Sequence, residues 1–162
     1  MSAPSSADFK AVMRHFPTGV TVVTSIREGE PRGVTVSAFA SVSADPPLVL
    51  ICINREARSY LYISSSQVFC VNILSGDQRH LAERFSGKIR EHQFDDVDYD
   101  SEVTGAPILR GTVAHLECEV AEEHYAGSHS IFIGRVVSAR SRSGSPLGYY
   151  NGEFHDFGIR ID

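Results

Sequence analysis

The sequence predicts a mostly β protein, built as a closed antiparallel barrel to which a few helices are added. At least six segments combine β-branched or aromatic residues with turn signals at their ends, as strands do. Only a few segments show the spacing of an amphipathic helix. Strands and helices do not alternate regularly along the chain, which argues against a parallel α/β sheet.

The first predicted element is a helix that Ser5 or Ser6 can cap and that ends at Pro17. Its apolar residues recur at the helical spacing i, i+3, i+4, i+7, so we expect one apolar stripe to face the core. These apolar residues are Phe9, Val12, Met13 and Phe16.

A β-hairpin follows, with a strand from Gly19, a turn-rich stretch over residues 28–33 and a second strand from Val34. The pattern predicts further strands over residues 48–53, 68–74, 112–122, 130–140 and 156–161, and helices over 58–64 and 77–85. We expect loops at 123–129 and 141–145. Residues 86–105 are rich in charge and poor in pattern, and so long a loop in a compact domain indicates function or an interface.

Length and composition limit the classes of protein to consider. The 162 residues fit a single domain, residues 1–162, whose first six residues form a flexible polar tail. The tail has neither the basic nor the apolar stretch of a signal peptide, and no apolar run is long enough to span a bilayer. The net charge of -5 leaves no basic stripe for nucleic acid. We therefore expect a cytoplasmic protein that binds neither membranes nor nucleic acid.

The cysteines indicate a reducing compartment. Cys52, Cys70 and Cys118 each lie in an apolar, strand-like run, and their odd number and spacing predict neither a disulfide framework nor a zinc site. We expect buried, reduced thiols.

A row of small hydroxyl residues stands directly before an apolar strand in the segment 35–54. On extended backbone these donors suit a polar, phosphate-bearing ligand, whereas the same alternation with Val and Ala is typical of the solvated face of an edge strand. On spacing alone the edge strand is the commoner outcome. The hydroxyl residues are Thr35, Ser37, Ser41 and Ser43.

The motifs of a Rossmann site, a P-loop and a hydrolase nucleophile elbow do not occur in the sequence. His115, Glu117 and Glu119 share one face of a strand, but without a second ligand pair we expect a solvated outer face and no metal site. The acidic run from Asp95 to Asp100 lacks the pattern of an EF-hand and is expected to be a solvated loop.

Seven pieces of the chain, in order, resemble the flavin reductase-like family, and more narrowly the small reductase components of two-component flavin-dependent monooxygenases. Each piece is a weak signal by itself, but the ordered set covers almost the whole chain. The pieces are HFPTGVTVVT at 15–24, the segment 35–54, RSY at 58–60, FCVNIL at 69–74, FSG at 85–87, LEC at 116–118 and HSIFIG at 129–134.

This resemblance implies an FMN-binding split β-barrel, antiparallel and Greek-key-like, with peripheral helices. It implies a homodimer that binds FAD or FMN and reduces it with NADH or NADPH, and that supplies the reduced flavin to a separate oxygenase component. Two other functions stay open: a flavin-binding electron carrier that does not oxidise nicotinamide, and a flavoenzyme similar to pyridoxamine-phosphate oxidase.

The resemblance also implies site residues. The hydroxyl-rich segment and the strand after it would line the flavin, residues 58–60 would face its phosphate or ribityl side, and the turn at 16–19 would lie near the isoalloxazine ring. The implied flavin-binding residues are Pro17, Thr18, Thr35, Val36, Ser37, Ala38, Ser41, Val42, Ser43, Cys52, Ile53, Asn54, Arg58, Ser59, Tyr60, Phe85, Ser86 and Lys88. The implied nicotinamide-binding residues are His129, Tyr149, Tyr150 and Gly152.

His129 is the one candidate for a catalytic side chain, because hydride transfer between two cofactors needs little acid–base chemistry from the protein. The family's Gly-Asp-His reads Gly127-Ser128-His129 in this chain, so the carboxylate that would orient the histidine is absent.

Overall fold

The structure is a computed structural model that describes residues 3–88 and 91–158. Antiparallel strands make up most of it, and helices are few. The helices of the described residues are α1 Ser6–Met13, α2 Arg58–Ser66 and α3 Arg79–Arg84. The strands are β1 Thr18–Gly19, β2 Thr21–Arg27, β3 Glu30–Val36, β4 Phe39–Ala44, β5 Pro47–Asn54, β6 Val68–Ile73, β7 Tyr99–Asp100, β8 Ile108–Leu109, β9 Ala114–Ala126, β10 His129–Ser141, β11 Leu147–Tyr150 and β12 Glu153–Asp156.

A seven-stranded sheet in the order β3-β2-β6-β9-β10-β5-β4 forms the body of the protein. Its edge strands β3 and β4 do not pair with each other in the part of the chain that is described, so the prediction of a closed barrel was wrong. Helix α2 packs against β2, β3 and β5. The split barrel that the resemblance implied is confirmed. A smaller sheet, β1-β11-β12, and the pair β7-β8 complete the fold.

The core has two main layers, one on each face of the large sheet. The inner layer lies within the curve of the sheet and includes Val23, Ile51, Phe69 and Phe132, with Ile63 of α2. The outer layer joins the other face of β2 to α3, β8 and β11. Its buried members are Val20, Val22, Leu74, Leu81, Ala82, Phe85, Leu109 and Leu147.

The outer face of β5 and β10 has no such cover among the described elements. On both strands, residues that point inward are buried, while the alternate residues that point outward are only half-buried. These outward residues are nevertheless apolar: they are Leu48, Leu50, Cys52, Ile131 and Ile133. An apolar sheet face that remains half-exposed is typical of an interaction surface.

Helix α1 begins as predicted but faces solvent. Ser5 and Asp8 form a capping box at its start. The Ser5 hydroxyl and the Ser5 backbone N–H both donate to the Asp8 carboxylate, at 2.6 and 3.2 Å, and lower the pKa of Asp8. The expected apolar stripe does not reach the core, because Phe9, Val12, Met13 and Phe16 are between 46% and 68% exposed.

Most strand and helix predictions are confirmed within a few residues, including the hairpin β2–β3 and the strands β5 and β6. The loop predicted at 123–129 was wrong, because β9 and β10 continue almost to their turn at Gly127 and Ser128. The last strand begins earlier than predicted, at Glu153, and residues 159–161 of the predicted strand lie outside the described residues. Residues 86–105 are largely irregular, with β7 near their end, and residues 89 and 90 also lie outside the description.

The predicted solvated face of β9 was wrong at Glu117, which is fully buried. Its carboxylate accepts hydrogen bonds from the backbone N–H groups of Val103 and Thr104, at 3.2 and 2.8 Å, and from the Thr104 hydroxyl at 2.9 Å. The segment that ends the long loop therefore covers Glu117. All three cysteines are described and free, and Cys70 and Cys118 are buried as expected, while Cys52 is half-buried.

None of the described helices is long and apolar enough to cross a membrane. Across residues 3–88 and 91–158, no cluster of His, Cys, Asp and Glu side chains has the grouping that holds a metal ion.

Candidate functional site

A cleft of about 690 Å³ lies between β3, α3 and the β11–β12 hairpin. It unites residues that the sequence assigned to two ligands: Thr35, Ser37, Ser86 and Lys88 to the flavin, and Tyr149 and Gly152 to the nicotinamide. The full lining is Val20, Thr35, Ser37, Arg79, Ala82, Glu83, Ser86, Lys88, Tyr149, Gly152, Glu153 and Phe154.

Thr35 fastens the end of α3 to β3. Its backbone N–H donates to the Phe85 carbonyl at 2.9 Å, and its hydroxyl donates to the Ala82 carbonyl at 2.6 Å. The ring of Phe85 lies so close to Gly33 that a Cβ on that glycine would be 2.7 Å from it. Phe85 is therefore a buried residue that fixes the cleft wall, while Ser86 and Lys88 after it reach the cleft.

The floor of the cleft near β12 is aromatic and its charge is balanced. Tyr149 and Phe154 meet edge to face at 5.3 Å between ring centroids. The guanidinium of Arg79 lies 5.3 Å from the centre of the Phe154 ring and pairs with Glu83 at 2.8 Å. Arg79, Glu83 and Phe154 were not singled out in the sequence. The i, i+4 spacing of Arg79 and Glu83 can be read from the sequence. The side of α3 that faces the cleft cannot, because it depends on β3, β11 and β12, which are far away in the sequence.

A second cavity, of about 280 Å³, lies at the start of α2 and contains the predicted residues Arg58 and Ser59. The N-cap residue Ala57 makes no side-chain capping bond, and the Tyr60 N–H donates to the Ala57 carbonyl at 3.0 Å. Ser59 is buried, and its hydroxyl has no hydrogen-bond partner within the described residues. Arg32 adds a second guanidinium to the lining and was missed in the sequence.

These features fit a phosphate group. A helix N-terminus favours anions, and a buried hydroxyl that lacks a partner is satisfied by a phosphate oxygen. Neighbouring stretches of the chain line the two cavities: Arg32, Gly33 and Val34 of β3 line the small one, while Thr35 of β3 and Ser37 just after it line the large cleft. A flavin nucleotide, with its ring at one end and its phosphate at the other, fits this arrangement.

The turn at 16–19 borders the same region. Pro17 and Thr18 line a groove of about 300 Å³ together with Ser37, which also lines the large cleft. The Thr18 hydroxyl is buried and makes no hydrogen bond within the described residues. The structure thus brings Pro17 and Thr18 to Ser37, as the resemblance implied for the ring end of the flavin.

Several predicted flavin residues lie elsewhere. Val36 and Ile53 point into the core, so only their backbone groups can face a ligand. The carbonyl of Ala38 is already used by the protein, because it accepts a hydrogen bond from the Cys52 N–H of β5 at 3.1 Å. Three residues lie on the edge strand β4, and two others on the outer face of β5. Across the described residues, these five line none of the cavities reported above: Ser41, Val42, Ser43, Cys52 and Asn54.

Tyr60 turns away from the phosphate cavity and packs on Phe132, with 6.0 Å between ring centroids. Desolvation raises the pKa of its phenol, and hydrogen bonds with Tyr125 and Glu123 act in the same direction.

His129 is separated from the tyrosines that were expected to share its ligand. It is exposed at the start of β10 and pairs with Asn54 of β5, whereas Tyr149 and Gly152 line the large cleft. Tyr150 is also on the surface, with its ring 6.1 Å from that of His155. The Ser128 hydroxyl lies 2.9 Å from His129 Nδ1 and occupies the place of the missing carboxylate.

Known proteins resemble this chain over most of its length. The profile of the flavin reductase like domain matches residues 13–158. An FMN reductase (NADH) of Agrobacterium fabrum is 40% identical over 153 residues, which cover 94% of this chain and 87% of the relative. The reductase subunit of a flavin-dependent monooxygenase from Rhodococcus jostii is 37% identical over 90% of this chain and 75% of its own length.

The fold is shared with a solved structure of the NADH:FAD oxidoreductase of Streptomyces globisporus in complex with NAD and FAD fragments. The TM-score is 0.92 at 36% identity, and the match covers 100% of this chain and 99% of that one. The sequence profile, the relatives and the split barrel agree, and the chain belongs to the flavin reductase-like family.

Proposed function

We propose that this protein is an NADH-dependent flavin reductase that delivers reduced FAD or FMN to a separate oxygenase component. The observation that carries the proposal is the run of cavities along β3, which leads from the large cleft to the uncapped start of α2. Relatives described as NADH-dependent reductases of FMN and of FAD support the same reaction.

The flavin, when bound, supplies the ring that accepts hydride from NADH. The protein holds and orients the two cofactors. The N–H groups at the start of α2 and the Ser59 hydroxyl hold the phosphate, and Arg58 adds positive charge there. Thr18 and Ser37 offer hydroxyls at the ring end, and the rings of Tyr149 and Phe154 offer an aromatic surface beside them. This arrangement contributes to the rate mainly by orientation.

The experiment that tests the reaction mixes the purified protein with NADH and either FMN or FAD and follows the near-ultraviolet absorbance of NADH. We expect oxidation well above a control without protein. NADPH in place of NADH shows which nucleotide is preferred. If neither nucleotide is oxidised faster than in the control with either flavin, the protein is not a flavin reductase.

A homodimer is the second part of the proposal. The half-exposed apolar face of β5 and β10 supports it, because Leu50, Ile131 and Ile133 would be buried against the same face of a second copy. A cytoplasmic location is supported by the three free cysteines, since disulfides are rare in reducing compartments.

The oxygenase partner is the third part. The Rhodococcus jostii relative is a reductase subunit of a monooxygenase, which supports a reductase component here. Exposed residues line part of the cleft, among them Lys88 and Glu153, so reduced flavin can leave for a separate protein.

A further inference from the structure

His129 lies at the tip of the β9–β10 hairpin, where few core contacts hold it. Its neighbours on both strands of the tip, from Glu122 to Ser128, are largely exposed. The position of the imidazole therefore depends on what fastens this tip to the rest of the protein.

The pairing of β10 with β5 and the hydrogen bonds of Tyr60 with Tyr125 and Glu123 hold the base of the tip, and Arg55 adds three contacts at its end. It directly follows Asn54, the strand partner of His129, and its backbone N–H donates to the Ser128 carbonyl at 3.1 Å. Its guanidinium donates to the Gly127 carbonyl at 2.5 Å. The same guanidinium lies 5.2 Å from the centre of the Tyr125 ring. Arg55 thus contacts β9, through Tyr125, and both residues of the turn that leads into β10 at His129.

The other side of Arg55 leads directly to the phosphate cavity. The turn after β5 is tight, since the Glu56 N–H donates to Asn54 Oδ1 at 2.9 Å and the Ala57 N–H donates to the Asn54 carbonyl at 3.0 Å. Helix α2 begins at the next residue, Arg58. One short segment therefore joins the hairpin tip to the start of α2.

We propose that Arg55 is a positioning residue that fixes His129 relative to the flavin site. This rests on the proposed function, together with the contact between His129 and the nicotinamide that the family resemblance implies. Arg55 itself contacts neither cofactor in this account. A guanidinium suits the role because its plane stacks on Tyr125 while an N–H donates to a carbonyl, and a lysine ammonium does not match both.

The test compares Arg55→Ala and Arg55→Lys with the wild type and with Arg140→Gln. Arg140 is an exposed arginine near the other end of β10, paired with Glu102, and serves as the matched control. Three quantities are measured: hydrogen exchange of the peptide covering residues 125–130, the KM for NADH and kcat at saturating FMN, and the Kd of FMN.

For Arg55→Ala we expect faster exchange in the hairpin peptide and a KM for NADH raised about threefold to tenfold, with the Kd of FMN unchanged. In Arg55→Lys the KM for NADH should lie between the values of Arg55→Ala and the wild type, and Arg140→Gln should resemble the wild type in all three quantities. A KM for NADH that stays at the wild-type value in Arg55→Ala refutes the positioning role, whether or not exchange increases. A wild type that oxidises no NADH refutes instead the function on which the proposal rests.

Discussion

At the scale of single residues, the clearest constraint is the contact between Gly33 and Phe85. The strand backbone at Gly33 is one that any residue can adopt, but the Phe85 ring occupies the space that a Cβ would need. The sequence pattern identified Gly33 only as the end of a turn. Its contact with the Phe85 ring joins residues 52 positions apart, and no local pattern shows such a contact. The exact partner of a glycine in a strand is seldom visible in the sequence.

Gly33→Ala should therefore lower the free energy of unfolding by about 1–3 kcal/mol, since the buried Phe85 ring must move. Urea denaturation measures this. Gly19→Ala is the control, because no atom lies within 4 Å of its added Cβ, and its stability should stay within about 0.5 kcal/mol of the wild type. Equal stability of the two variants would show that Phe85 tolerates the methyl group.

At the scale of elements, Glu117 connects β9 to the end of the long loop. The alternation of His115, Glu117 and Glu119 correctly predicted a shared strand face, but not that residues 103–104 cover its middle member. Helix α1 shows the same limit: Ser5 and Asp8 determine its start locally, whereas burial of its apolar stripe depends on what packs against it. Capping and periodicity are local properties, and coverage is not.

Glu117→Gln should destabilise the protein by about 1–3 kcal/mol, because one carboxylate oxygen that accepts a backbone N–H is replaced by an amide NH2 group, which donates and cannot accept. Glu119→Gln, on the same face of β9 but exposed, should change stability by less than about 0.5 kcal/mol. Urea denaturation of both variants checks this. Equal losses would mean that the contacts with Val103 and Thr104 do not stabilise the loop.

The paired strands β6 and β9 carry two buried thiols. Burial, with the nearby Glu117 carboxylate, raises the pKa of Cys118 to about 12 and also raises that of Cys70. An unfolded thiol ionises near the ordinary value of 9.0, so stability from these groups is complete below about pH 9 and falls as the pH rises toward 12. Denaturation at increasing pH should show this decline, and a Cys70→Ala/Cys118→Ala variant should show a smaller one. An identical slope in both proteins would contradict the assignment.

At the scale of the whole molecule, the split barrel leaves one sheet face without cover among the described elements. The apolar strand β5 was visible in the sequence, and both of its faces are apolar, but the sequence could not show that one of them remains half-exposed.

The predicted site residues also fall into two groups, those that the structure brings together and those that it keeps apart. Arg58, Ser59 and Ser37 were predicted and lie along one set of cavities, whereas His129 and Tyr149 were predicted together and lie apart.

Ile133→Glu should convert the proposed dimer into a monomer, because it places a charge in the middle of the apolar face of β5 and β10. Light scattering after size exclusion measures the mass. Val103→Glu, at an exposed apolar residue outside β5 and β10, should leave the mass unchanged. A wild-type protein that is monomeric and active would refute the dimer.

The most direct test of the account measures the binding of FMN and of riboflavin, which lacks the phosphate, to the wild type and to Ser59→Ala. The Ser59 hydroxyl is buried with no partner in the described residues. If the flavin phosphate lies there, the wild type binds FMN at least about tenfold more tightly than riboflavin. The variant should lose much of that difference without losing stability. If riboflavin binds the wild type as tightly as FMN does, the phosphate does not lie at the start of α2 and the account is wrong.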